Sequence, residues 1–406
     1  MTTVSDPSPA DTTSPEAPES VRGTLAQRFA QLGSLRVAFV LAAIWIVFQS
    51  QNGSFLTSFN LTNLVLQIAG VGTISIGVVL ILLLGEIDLS VGAVSGLAAA
   101  VMAVLNVKHG WSAETSIAAG LATGAVIGLV NGFFVTRFAV PSFVVTLAGL
   151  LAWQGALLQV LGSTGTINLS DPTITGLTGT FYGDVFAWIM VIVIVGAFGV
   201  SGALERVRRA RAGLAPPRLA GFVAQVAVVA AGSIAAVLVL TSDRGIPLAG
   251  LILLGLCALF VFITTRTVFG RHVFAVGGNA EAARRSGIRV TRVRLMVFVL
   301  ASTLAAAGGI MLAARLLAVN QGSGGSDLLL LAIAGPVIAG TSLFGGRGSI
   351  WHALLGALVI GSISNGMDLL ALESSVKYMI TGGVLLVAVV IDAVIKTQRE
   401  RAGAAR

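Results

Sequence analysis

Charge is what this chain has least of. Only 10% of its 406 residues are charged, while 56% are apolar, whereas soluble domains carry roughly 25% charged residues. That shortage excludes an aqueous globular fold. Cysteine is almost missing too: Cys257 is alone and sits inside an apolar run, so neither a disulfide framework nor a thiolate metal site can form. The three histidines are scattered without ligand spacing, and no metal is expected. Lysine occurs three times, as Lys108, Lys377 and Lys396, and never after a glycine. A P-loop needs GxxxxGK[ST], so that backbone amides and a lysine hold the phosphates. The chain therefore cannot hydrolyse ATP by that route. No HExxH, Ser-His-Asp or Cys-His arrangement is visible either. Catalytic residues, a cofactor and an enzyme activity are not expected.

What is there is apolar sequence in long blocks. Windows fall at about 35–49, 63–84, 88–107, 115–136, 140–161, 184–204, 219–241, 246–265, 295–318, 328–344, 349–371 and 375–395. At 1.5 Å per residue, about 20 residues cross the roughly 30 Å hydrocarbon layer. Only helices or closed barrels satisfy their backbone in lipid, and continuous rather than alternating runs mean helices. The fold class read from this is all-α, a polytopic membrane helix bundle of about 10–12 transmembrane segments. Two windows are doubtful as full spans: 88–107, which opens on a carboxylate, and 328–344, which is short.

Lys and Arg distribution fixes the orientation. With the N-terminus in the cytosol, Arg22, Arg28 and Arg36 lie before or at the start of the first run and Arg137 follows on the same side. Five more lie at 206–218, seven at 266–294, then come Arg347 and four basic residues after 395: 21 of 25 fall on one side. Basic residues concentrate on the cytosolic face, so both termini are cytosolic. The pI near 10.9 follows from these orientation signals, and no nucleic-acid partner is implied. Residues 1–33 are expected to be a disordered cytosolic leader, 34–396 the membrane domain, with cytosolic loops at about 205–218 and 266–294, and 397–406 a cytosolic tail. The partner of the bulk surface is membrane lipid.

The loop from Arg266 to Arg294 holds seven arginines, a histidine and one carboxylate between greasy runs. Within it, Asn279 is a good N-cap and Glu281 sits in the first turn, where negative charge meets the helix dipole. Arg284 and Arg285 lie three and four residues beyond Glu281, within pairing reach, and Gly287 supplies a left-handed C-cap. A helix of about seven residues is too short to persist alone. It must dock on something. Gly120, Gly124 and Gly128 put glycine on one helix face, which lets backbones approach closely.

The segment FAVGGNAEAARRSGIRVTRVR resembles the cytosolic coupling loop of the membrane-spanning permeases of ABC-type monosaccharide importers, the ribose/xylose family. LGEIDLSVGAVSGL (Leu84 to Leu97) and IAGPVIAGTSLFGGRGSIWHALLGALVIGSISNGM (Ile333 to Met367) are similar to the same family, and overall length favours its xylose-type members. The resemblance implies a multi-pass permease of the bacterial plasma (inner) membrane, importing a monosaccharide such as the pentose xylose. It also implies three partners: a cytosolic ABC ATPase subunit, an extracellular or periplasmic sugar-binding protein, and a second permease copy in a homodimer. The coupling role carries over to Asn279, Glu281, Ala282, Ala283, Arg284 and Gly287, with Arg285 beside them. Carboxylates at a span boundary are costly in lipid and often functional, so Glu86 and Asp88 are translocation-path candidates, together with Asn131 and Asn365. For each, a helix-capping or helix-helix contact is the competing assignment. Arg315 is expected to snorkel to the outer interface. The rival functions are a permease of this family for ribose, another sugar or a nucleoside, and an ion-coupled secondary transporter.

Overall fold

The computed structural model describes residues 33–390 except 216–218, 385 and 388–389. The expected leader, apart from Gly33, and the expected tail lie outside the described residues. Helices dominate: α1 Gly33–Gln51, α2 Ser58–Leu83, α3 Val91–Ala103 running on as a π-turn Val104–Lys108, α4 Ala113–Arg137, α5 Ser142–Leu161 and the short α6 Pro172–Gly179. Then come α7 Asp184–Arg211, α8 Leu219–Thr241, α9 Leu248–Arg266, α10 Val268–Gly278, α11 Ala280–Arg285, α12 Val290–Leu316, α13 Ser326–Ile338 and α14 Trp351–Leu369. Residues 374–384 form a further helix, α15. Among the described residues, every apolar window of the sequence is occupied by one of these helices. Eight of them are long and apolar enough to cross a membrane. The 88–107 window reaches full length because the π-turn extends α3, whereas α13 stays at 13 residues.

Starts and stops follow local chemistry. The side chains of Thr57, Ser112 and Asp171 accept from backbone amides at the starts of α2, α4 and α6, which satisfies donors the helix itself cannot. The centre of the bundle is α2, α3 and α12; 83% of the α2 span is buried but only 6% of the α8 span, so α7 and α8 form a lipid-facing hairpin at the edge. Between α4 and α12 the glycine stripe brings backbones together. A Cβ on Gly124 would lie 2.6 Å from the Ser302 carbonyl oxygen, and one on Gly128 would lie 2.5 Å from that of Phe298. Small residues of this kind replace hydrophobic driving force inside a bilayer.

The alternation of sides has a geometric test: loops on one side should touch one another. At one end, the Gly346 amide donates to the Leu83 carbonyl at 3.0 Å, Arg294 pairs with Glu86 at 3.0 Å, and the Ile87 amide donates to Ser142 Oγ at 3.2 Å. At the other end, Asn52 Nδ2 donates to the Leu369 carbonyl at 3.0 Å. There, two small antiparallel pairs also tie loops together: β1 Thr166–Asn168 with β4 Ala318–Asn320, and β2 Phe181–Tyr182 with β3 Ile246–Pro247. Each contact joins loops that the arginine count had assigned to the same side. The arginine-rich end is cytosolic.

Candidate functional site

The cytosolic end is built around α10 and α11. Asn279 Oδ1 accepts from the Ala282 amide at 2.9 Å. Glu281 pairs along its own helix with Arg284 at 2.8 Å and Arg285 at 3.2 Å, while Gly287 is left-handed at φ 83°. The single turn persists because it docks on its own bundle. Ala283 is buried in a cluster with Val273, Val276, Val290 and Val293. The charged face stays open: the side chains of Glu281, Arg284 and Arg285 are 54%, 65% and 80% exposed.

Behind this charged face the chain crosses itself backbone on backbone. Gly277 of α10 rests against the Leu83 carbonyl, with the Gly346 amide next to it, and Gly345 lies against Gly85. The end of α10, the end of α2 and the α13–α14 turn thus meet without intervening side chains. A side chain at Gly277 has no room.

The segment 84–90 leaves this junction and is held on several sides. Glu86 forms its ion pair with Arg294 at the start of α12, the two side chains being 13% and 30% exposed. The Leu89 amide donates to Thr146 Oγ1 on α5 at 3.1 Å. Asp88 Oδ1 accepts from the Ser90 amide at 2.8 Å and from Ser90 Oγ at 2.6 Å, and Asn131 Nδ2 on α4 reaches Ser90 Oγ at 3.0 Å. Burial pushes the Asp88 carboxyl up, against the two bonds from Ser90 that draw it down. Its other oxygen is buried without a hydrogen-bond partner, in a side chain that lines a mostly apolar cavity of about 190 Å³ beside Ile333 and Leu343.

Asn365 is not part of this assembly. It sits at the opposite end and exchanges two hydrogen bonds with Asn60, of 2.7 and 3.0 Å. Asn60→Ala takes both hydrogen bonds from the buried Asn365 amide, and roughly 1–3 kcal/mol of stability should go; thermal unfolding of the purified protein in detergent reads it directly. The structure therefore brings Glu86, Asp88 and Asn131 together at the cytosolic end, each engaged with a neighbouring helix or loop, and leaves Asn365 in a separate clamp. Arg315 opens onto an outer cavity of about 920 Å³ with Asn63, Thr175, Phe181 and Arg244. Arg244 lies 4.7 Å over the Phe181 ring and donates to Asn63 at 2.8 Å. Arg294, Ser142, Thr146 and the outer cavity went unread in the sequence. For Arg294 a signal existed: it is the arginine of the loop nearest the apolar run of α12, where an unpaired charge is costly.

Residues 60–389 match the family described as branched-chain amino acid transport system / permease component. The chain belongs to this family. Within it, the sequence is 37% identical to the xylose transport system permease protein XylH of Haemophilus influenzae over 363 residues, covering 88% of this chain and 96% of that protein. The XylH of Escherichia coli K12 is 36% identical over 365 residues, covering 89% and 91%. The ribose import permease protein RbsC of Bacillus subtilis is 33% identical over 362 residues, covering 89% and 92%. No solved structure matches. As a member of this permease family the chain is a non-catalytic transport subunit and a multi-pass protein of the inner membrane.

Proposed function

We propose that this permease carries a monosaccharide, a pentose such as xylose, inward across the membrane, driven by a separate ATP-hydrolysing subunit. The observation that carries the reading is the seating of α10–α11: an exposed charged turn fixed backbone to backbone on the end of a central span. A push on the open face of Glu281, Arg284 and Arg285 has no soft side chains to absorb it at Gly277. It passes to Leu83–Gly85 and, through Glu86 and Arg294, to both α2 and α12. Asp88, Ser90 and Asn131 then couple the same segment to α3 and α4. In this account Asn279 and Gly287 keep the turn folded, Ala283 packs it while Ala282 lies on its exposed face, and Asn365 steadies the far ends of α2 and α14. An external sugar-binding protein delivers cargo to the outer cavity, and two copies of the permease in lipid form the working channel.

The cargo assignment is supported by identity with two xylose permeases along almost the whole chain; the ribose permease, similar over the same length, makes ribose the second reading. Glu281→Arg with Arg284→Glu keeps the 281–284 pair with its polarity reversed, gives up the weak exposed pair to Arg285, and inverts those two charges on the face offered to a partner. Uptake should fall to background while the amount of inserted permease stays normal. Unchanged sugar accumulation in that variant would sink the docking role of this turn.

A further inference from the structure

The turn that precedes α13 lies at membrane depth and is polar. Helix α13 has 13 residues, about 20 Å of rise, which is two thirds of the roughly 30 Å hydrocarbon layer. Its far end runs into the 340–348 turn, which is fixed to the cytosolic junction through the Gly346 to Leu83 bond. Its N-terminus therefore stops about 10 Å short of the outer surface. Two other contacts give the same depth. Gly324 packs on the backbone of Gly92 and Gly96, and Gly96 lies about 18 Å along the helix from Lys108. Gln154, about 10 Å before the end of α5, donates to the Gln321 carbonyl at 3.1 Å.

At that depth Asn320, Gln321, Ser326, Asp327 and Tyr378 are exposed. Irregular backbone does not occur facing lipid, and a carboxylate there costs about 2.5–3.5 kcal/mol even on insertion scales. These side chains must face water or protein. We infer that the 320–327 turn is a station in the translocation path that holds a neutral polyhydroxylated solute, the sugar of the proposed import, on which reading this assignment rests. Amides at Asn320 and Gln321 both donate and accept, as a sugar hydroxyl does. The Gln321 side chain has no hydrogen-bond partner among the described residues. Asp327 accepts from Tyr378 at 2.7 Å and has acceptor capacity left. No Lys or Arg side chain bonds to the turn among the described residues, which favours an uncharged solute over an anion. Discontinuous helices are where transporters form their substrate sites.

The test uses the permease reconstituted with its ATPase and binding protein, in a Cys257→Ala background. Gln321→Cys and Ser326→Cys are each treated from outside with a charged, membrane-impermeant methanethiosulfonate, and Val228→Cys on the lipid-facing α8 serves as control. Both turn positions should be labelled, the control should not, and saturating xylose on the binding protein with ATP should slow labelling at least tenfold. Absence of labelling at both turn positions, or labelling indifferent to sugar, overturns the station. Failure of wild-type xylose uptake overturns the cargo reading instead, and is scored separately.

Discussion

Glu86→Arg should cut ATP-driven sugar uptake by a factor of about ten to a hundred, and adding Arg294→Glu in the same chain should restore most of it. The pair is at 3.0 Å and mostly shielded from water. Reversing one charge puts two cations together in a poorly solvated place, and breaking such a pair costs more than the pair itself contributes. A penalty of about 1.4–2.8 kcal/mol on one state of the transport cycle corresponds to those factors. The double reversal re-forms the pair with opposite polarity, so the coupling energy between the two positions is what the four variants measure. A purely structural role predicts losses that track the amount of inserted protein. The relay role predicts normal insertion, with ATP hydrolysis still stimulated by loaded binding protein but no longer matched by sugar movement. Uptake that remains near wild type in both single variants contradicts the relay.

The largest single-residue effect is expected at Gly277. A methyl group there would sit on the Leu83 carbonyl oxygen, with the Gly346 amide 2.8 Å away. Neither neighbour is a flexible side chain that can swing aside. Overpacking typically costs 1–3 kcal/mol when side chains can adjust, and here three backbone segments would have to part, so Gly277→Ala should leave little folded permease in the membrane. Gly278 is the control. A Cβ at that position meets nothing within 4 Å, and Gly278→Ala should insert and transport normally. Equal behaviour of the two variants, read by membrane abundance and thermal stability, would show that the junction does not need its close contact.

How much of this could be read in advance depended on the range of the interaction. The twelve apolar windows became helices because hydropathy acts over about 20 consecutive residues and lipid leaves the backbone no other choice. The α11 turn was equally legible: Asn279, Glu281, Arg284 and Gly287 act on neighbours three or four positions away. Long-range pairings were not legible. Nothing local at Glu86 points to Arg294, and nothing at Asn365 points to Asn60 across 305 residues. The outer strand pairs contain only two or three residues each and join loops far apart in sequence, so no alternating pattern announces them. The polar turn at 320–327 is hidden for another reason. In sequence it is an ordinary hydrophilic loop, and only the shortness of α13 and the packing of Gly324 on α3 show that it dips below the surface.

The central claim is that this permease moves sugar by borrowing the energy of a docked ATPase. Labelled xylose uptake into proteoliposomes holding the permease, its ATPase and its binding protein tests it most directly. The account predicts uptake that requires internal ATP and the binding protein and is unchanged by a protonophore. Uptake that persists without ATP and collapses with the protonophore would contradict it.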